Sequence, residues 1–167
     1  VPIKRKTGEK MLRGIPVSQG VSRSRVVVLD RTRIDPAKWG ILESDLAGEE
    51  DRLQASLVET RRQILAVQER LREAMGAKEA QIFDAHLLVL EDPMLIEEAT
   101  RFIREDLVTA EFAFHEASEK YAEALGKVDD SYLSERAADI RDVAQRVLAD
   151  LMGQALCTGL ADLTEPC

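Results

Sequence analysis

AQIFDAHLLVLEDPMLI, residues Ala80–Ile96, encodes a helix, a break that ends it and a continuation beyond the break. Its apolar residues cover more than one helix face, whereas a helix in a bundle needs only one apolar stripe. Proline disfavours helix at the preceding residue, so we expect the break at Glu91, Asp92 and Pro93. Asp92 is placed to cap the turn that follows, with Pro93 at its first position.

Amphipathic helices surround this stretch from Glu43 onward. We predict a first helix ending at Met75-Gly76, a second over 78–90, a third from behind Thr109 to about Lys127, and a fourth over 131–153. Short connections between such helices favour two helical hairpins packed as a four-helix bundle. The predicted apolar stripes are Leu53, Leu57, Ile64, Val67, Leu71 and Ala74; Ala113, Ala117, Tyr121, Ala124 and Val128; and Leu133, Ala137, Ile140, Ala144, Val147 and Leu151.

The segment before the helices is strand-like. Gly14–Ser22, GIPVSQGVS, is punctuated by Gly and Pro, and Arg25–Leu29 is a β-branched run. One or two strands are not stable alone in water, so we expect them to pair with further structure. We therefore predict a strand segment over 1–40, a helical domain over 41–153 and a tail of weak strand or loop character over 154–167.

The composition favours a helical protein with an acidic surface. Hydrophobic residues make up 45% of the 167 residues and aromatic residues only 4%, which favours helix over a β-sandwich. The formal net charge of −8 argues against nucleic acid or an anionic membrane surface as partner and favours a basic partner. The chain has no apolar run near the roughly 18 residues that span a membrane and no signal-peptide core, so we expect a cytoplasmic protein.

Catalytic and metal-binding motifs are missing. Cys157 and Cys167 have no C-x-x-C spacing and no histidine nearby, which argues against zinc and favours a reduced pair. Phe83 and Phe112 stand three residues before the two histidines, so the E-x-x-H pattern of di-iron bundles is absent. The G-x-S-x-G, P-loop and G-x-G-x-x-G signatures are absent too. We predict no catalytic residue and no metal site in this chain.

The apolar run Leu87–Leu90 is the candidate binding feature. Either its helix is buried on two sides, or part of the run is exposed to a partner. An apolar patch ringed by carboxylates suits a basic, partly apolar partner, with charge steering the encounter, although a solvated charged face is the simpler interpretation. For His86, the simpler interpretation is a ring bonded to a nearby carboxylate, and His115 is predicted to be structural. The carboxylates beside the run are Asp84, Glu91, Asp92, Glu97 and Glu98.

A second segment, Tyr132–Asp142, YLSERAADIRD, is by itself a helix rich in ion pairs. Together with the first segment it resembles the N-terminal region of enzyme I, the phosphoenolpyruvate–protein phosphotransferase of the bacterial sugar phosphotransferase system. The nitrogen-branch enzyme I is similar to about the same degree. The similarity runs from Gly14 to Gly153, and its motifs GIPVSQGVS, IFDAHLLVLEDPMLIEE, TAEFAFHE and DDSYLSERAADIRDVAQRVL keep the family's order.

The resemblance implies that the helical domain is inserted into an α/β phosphohistidine subdomain, incomplete here, to which residues 1–40 belong and 154–167 lead back. In that family a histidine takes phosphate from phosphoenolpyruvate, with magnesium, in a C-terminal (β/α)8 barrel that also forms the homodimer. The phosphoryl group then passes to the carrier HPr, docked on the helical domain. The T/S-S-H segment around the phosphohistidine is absent, so neither His86 nor His115 is assigned as acceptor and the chain alone is predicted to be inactive.

By motif, the resemblance also assigns partner-binding residues. Two departures weaken the expected acidic rim: Ala77–Ala80 replaces acids before the IF dipeptide, and Met94 stands at another acidic position. The nitrogen-branch paralogue of HPr is therefore an open alternative. A structural helical-bundle adaptor and a metal-dependent helical enzyme using His86 are the competing classes of function. The assigned partner-binding residues are Asp84, His86, Leu88, Val89, Asp92, Leu95 and Arg136.

Overall fold

The computed structural model describes residues 20, 33–127 and 131–154, with the backbone alone for 131–135. The chain divides into two units, and apart from Gly20 the described residues belong to the unit Arg31–Thr158. The predicted strands within 14–29 lie outside the described residues, Gly20 excepted, as do Cys157 and Cys167. The predicted domain boundaries stay a prediction.

The described part of the chain is mainly helical, as predicted. It contains no strand, only an isolated antiparallel bridge between Gly40 and Val108, and none of its helices is both long and apolar enough to cross a bilayer. A short 3₁₀ turn at Glu43–Asp45 precedes the helices, which are α1 Leu46–Met75, α2 Ala77–Ala80, α3 Ile82–Leu90, α4 Pro93–Asp106, α5 Ala110–Gly126 and α6 Ser131–Leu151.

The helix count differs from the predicted four because the continuation after the break is a full helix. Pro93 starts α4, which extends for 14 residues, and Leu107 in the left-handed conformation (φ 50°) follows its end. The predicted second helix is divided as well, into α2 and α3. Two hairpin-like pairs remain recognisable, α5 with α6 and α1 with α2–α3, and α4 packs on α5.

The predicted apolar stripes agree with the observed burial along α6 and along α1 as far as Ile64. On α1, Leu53, Leu57 and Ile64 are buried, whereas Val67 and Leu71 are half-buried and Ala74 is exposed. The stripe therefore fades toward the end of α1, where Gly76 (φ 113°) terminates the helix in a conformation that suits glycine. On α6, Ala137, Ile140, Ala144 and Val147 are buried and Leu151 is half-buried; Leu133 lies outside the residues whose side chains are described.

Helix α5 is buried largely through small side chains. Its buried residues are Ala110, Ala113, Phe114, Ala117, Ser118 and Ala122. Small side chains reduce the distance between helix axes, so α4 and α6 can both pack closely on α5. Of the predicted α5 stripe, Tyr121 is half-buried and Ala124 is exposed. Val128 lies outside the described residues.

A polar network fixes the N-terminal end of α5. Thr109 occupies the predicted cap position, but its side chain makes no cap bond; the Ala110 amide instead donates to Glu49 Oε2 at 2.8 Å. Arg52 binds Glu49, Glu111 and the Leu151 carbonyl, so a single guanidinium joins α1, α5 and the end of α6. This network lies at the opposite end of α5 from the break between α3 and α4.

Candidate functional site

Asp92 organises the break between α3 and α4. Its Oδ1 accepts a hydrogen bond from the Met94 amide at 2.9 Å, which confirms the predicted cap. Its Oδ2 accepts a hydrogen bond from the Tyr121 hydroxyl at 2.8 Å, and this bond, with burial and the carboxylate charge, raises the pKa of Tyr121. Both carboxylate oxygens are therefore engaged within the protein, and the bond to Tyr121 ties the break to α5.

Helix α3 separates its apolar run into a buried and an exposed part. His86, Val89 and Leu90 are buried, whereas Leu88 is 67% exposed. Residues three or four apart lie on one helix face, so Asp84, Leu88 and Glu91, all exposed, form what we call the α3 outer face. The structure therefore supports partial exposure of the run, at Leu88 rather than Val89.

His86 is held by the backbone of its own helix. Its Nδ1 lies 3.1 Å from the Ile82 carbonyl oxygen, and its ring centroid is 5.6 Å from that of Phe83. A carbonyl can only accept a hydrogen bond, so Nδ1 must carry the proton in this contact. The bonded group is therefore a carbonyl and not the carboxylate considered from the sequence. His115 Nε2 lies 3.7 Å from the Asp35 carboxylate.

The carboxylates predicted to ring the patch are largely engaged in internal contacts. Asp84 accepts from Gln68 Nε2 at 2.7 Å, and Glu91 from Arg61 Nε at 2.6 Å. Glu98 accepts from Lys120 Nζ at 2.6 Å, and this contact lowers the pKa of Glu98. With Asp92, four of the five acids are thus paired or hydrogen-bonded, and only the Glu97 side chain forms no ion pair or hydrogen bond with other described residues.

A shallow groove of about 250 Å³ runs between α4 and α5, beside the break. Its charged lining residues are Glu98 and Lys120, which form an ion pair with each other. Met94, at its mouth, is 69% exposed. We call this feature the α4–α5 groove; its other walls are Leu95, Ala117, Tyr121 and Ala124.

The residues assigned by motif differ in accessibility. Asp84 and Leu88 are exposed, and Asp92 and Arg136 are half-buried. His86, Val89 and Leu95 are buried, the last at 2% exposure. Their roles in partner binding stay predictions, and in this conformation the buried three would shape the surface from beneath.

Two residues near the break were not assigned a functional role from the sequence. Tyr121 fits the α5 stripe as an apolar residue, but its hydroxyl is the partner of Asp92, 29 residues away. A tyrosine within a stripe composed otherwise of small apolar residues is the only local signal for this bond. In the sequence, Met94 is recognisable only as a departure from an acidic pattern. Its exposure at the groove depends on how α4 packs on α5.

The described residues offer no metal centre, since they contain no group of three or more His, Cys, Asp or Glu side chains able to hold an ion. They form a helical-bundle domain whose distinctive surface lies at a capped helix break. Residues 13–136 match the family described as PEP-utilising enzyme, N-terminal, and the chain belongs to that family.

Similar proteins carry the name phosphoenolpyruvate-protein phosphotransferase. The chain is 36% identical over 148 residues to the Enterococcus faecalis protein, covering 88% of this chain and 25% of the relative. It is 35% identical over 142 residues to the Bacillus subtilis protein, covering 85% and 25% respectively. The chain therefore spans about a quarter of the length of these relatives.

Solved structures of enzyme I share the fold. An NMR solution structure of enzyme I (nEIt) superposes with a TM-score of 0.71 at 33% identity, covering 80% of this chain and 54% of that one. The N-terminal domain of the nitrogen enzyme I gives a TM-score of 0.64 at 30% identity, covering 72% and 50%. The solved structures that resemble this chain thus include an enzyme I of the nitrogen branch.

Proposed function

We propose that this chain is the carrier-recognition part of a phosphoenolpyruvate–protein phosphotransferase, and that its helical domain docks HPr or the nitrogen-branch paralogue of HPr. The observation that carries the proposal is Leu88, a large apolar side chain 67% exposed on α3. A contiguous apolar patch rimmed by polar residues is typical of interfaces, and Leu88 lies within the motif IFDAHLLVLEDPMLIEE that this chain shares with enzyme I. We define the docking surface as the α3 outer face together with Met94 at the start of α4.

The break between α3 and α4 gives this surface a defined shape. The Asp92 carboxylate holds the first turn of α4 and, through Tyr121, the side of α5. Buried Val89 and Leu95 anchor the two helices from below. A surface fixed in this way loses little conformational freedom when a partner docks, which favours affinity.

The groups that carry out the chemistry are proposed to lie outside this chain. His86 is buried with Nδ1 bonded to a carbonyl, and His115 faces the Asp35 carboxylate, so neither presents a free, exposed imidazole. Magnesium, the barrel and the homodimer contact belong, in this proposal, to the full-length phosphotransferase in the cytoplasm. The isolated chain is expected to take no label from phosphoenolpyruvate with magnesium, and acid-labile label on either histidine would contradict this.

The direct test is a titration of the ¹⁵N-labelled chain with each purified carrier, HPr and its nitrogen-branch paralogue, from one genome. We expect amide shifts concentrated at α3 and the start of α4 with at least one of them. The N-terminal end of α5, around Glu111, serves as the internal control and should not shift. No shifts with either carrier, or self-association of the chain alone, would favour the structural adaptor instead.

A further inference from the structure

At its α4 edge, the docking surface offers a partner few carboxylates without an internal contact, Glu97 being the exception. Asp92 is bound by the Met94 amide and the Tyr121 hydroxyl. Glu91 is paired with Arg61 across to α1. A cation arriving from a partner would have to share Asp92 with two uncharged donors or compete with Arg61 for Glu91.

The α4–α5 groove continues from this edge and is lined by a single carboxylate. Its one carboxylate, Glu98, pairs with Lys120 at 2.6 Å and also accepts a hydrogen bond from Arg101, and the Tyr121 hydroxyl donates to Asp92. What remains open is apolar: the Met94 thioether, the Tyr121 ring and the methyl group of Ala124. A volume of about 250 Å³ accommodates one or two large side chains.

We infer that the α4–α5 groove receives an apolar side chain of the carrier protein, and that Met94 determines this preference. The inference rests on the proposed function and specifies the chemistry of its partner: a carrier with a Leu-, Met- or Phe-sized side chain at this point, rather than Lys or Arg. A buried cation without a free carboxylate costs more than its contacts return, whereas an apolar side chain gains from burial.

Methionine suits this role because its unbranched, polarisable side chain adapts to an inserted group. Met94 is 69% exposed, so it can reorient without disturbing the core. Glu91 and Glu98 are already in ion pairs, so these two rim charges add little to electrostatic steering. Association should therefore depend less on salt than the count of five carboxylates suggests.

The test measures the dissociation constant of the carrier that binds the wild-type chain. Met94→Glu places a charge at the groove mouth, and we expect binding to weaken about tenfold, while Met94→Leu stays within about twofold of wild type. Ala124→Trp fills the groove from an exposed position and should weaken binding similarly. Circular dichroism checks that each variant is folded.

Matched controls carry the same substitutions elsewhere. Met152→Glu alters another exposed methionine, next to Leu151. Arg52 donates to the Leu151 carbonyl and to Glu111, so this control lies near the N-terminal end of α5, away from the groove. Ala55→Trp is the control for Ala124→Trp, because Ala55 is an exposed alanine on α1. Both controls should bind like wild type.

The outcomes separate the two proposals. If the wild-type chain binds neither HPr nor its nitrogen-branch paralogue, the proposed function fails and this inference fails with it. If the wild-type chain binds but Met94→Glu and Ala124→Trp bind equally well, the groove inference is overturned while the proposed function stands. A Met94→Glu variant that binds more tightly would also overturn it, because the carrier would then present a cation.

Discussion

Helices α3 and α5 use their apolar residues in different ways. On α5, the buried face consists of Phe114 and small residues, and α4 and α6 cover it. On α3, seven of nine residues are apolar, yet Leu88 and Ile82 are 67% and 62% exposed. Where a helix has more apolar residues than its neighbours can cover, the surplus lies at the surface and is available to a partner.

The comparison predicts that truncating a large side chain costs much more stability on α5 than on α3. Phe114→Ala removes a fully buried ring from α5 and should lower the free energy of unfolding by about 3–5 kcal/mol. Leu88→Ala on α3 should change it by less than about 0.5 kcal/mol. Urea unfolding measures both changes in the free energy of unfolding, provided that the m-value is the same as in wild type. A large loss for Leu88→Ala would show that the side chain is core and would remove the contrast.

Within α3 itself, adjacent residues should respond differently to a charge. Val89→Asp places a carboxylate at a site that is 9% exposed and should destabilise the domain by roughly 3 kcal/mol, with loss of helicity on mild heating. Leu88→Asp should stay folded, because its side chain faces solvent. Thermal unfolding followed by circular dichroism compares them, and equal melting temperatures would contradict the assignment of faces.

At the break, Asp92 should matter more for stability than its neighbours. Asp92→Ala removes the cap of α4 and the acceptor for Tyr121, so we expect a loss of about 1–2 kcal/mol. Tyr121→Phe keeps the ring and removes only the hydroxyl, so it should account for about 1 kcal/mol or less of that loss. Chemical unfolding of the two single variants and the double variant tests this. Fully additive losses would indicate that the two side chains act independently.

The smallest effect concerns the exposed faces and appears in the pH dependence. The Arg62 hydrogen bond, followed by the Gln63 hydrogen bond, lowers the pKa of Glu59 from 4.5 to about 2. A lowered pKa in the folded state stabilises it above pH 4.5, and this contribution disappears as the pH falls toward 2. The melting temperatures of wild type and Glu59→Gln should differ slightly at pH 6 and converge near pH 2. If the difference between the two melting temperatures grew as the pH fell, the lowered pKa of Glu59 would be contradicted.

Local signals explain which features could be predicted from the sequence. Asp92 and Pro93 are adjacent to the turn that they start, so the break and its cap follow from residue type alone. The stripes of α1 and α6 also follow from helical spacing. Burial along Leu87–Leu90, however, depends on which neighbours cover α3, and spacing did not distinguish Leu88 from Val89.

Long-range contacts account for the rest of the candidate site. Tyr121 donates to Asp92, 29 positions away, and Arg61 donates to Glu91, 30 positions away. No local sequence pattern predicts either bond. A count of carboxylates near the patch therefore overstates the charge open to a partner, since Glu91 is ion-paired and Asp92 is hydrogen-bonded within the protein. The α4–α5 groove depends in the same way on how two helices pack.

The central claim is that Leu88 lies at the centre of a surface that docks the carrier. Calorimetric titration of the Leu88→Asp variant with the carrier that binds wild type tests it most directly, with Met152→Asp as the matched control. We predict a loss of about 2 kcal/mol, roughly 30-fold in Kd, for Leu88→Asp at unchanged helicity, and wild-type affinity for the control. A folded Leu88→Asp variant that binds the carrier as tightly as wild type would contradict the claim.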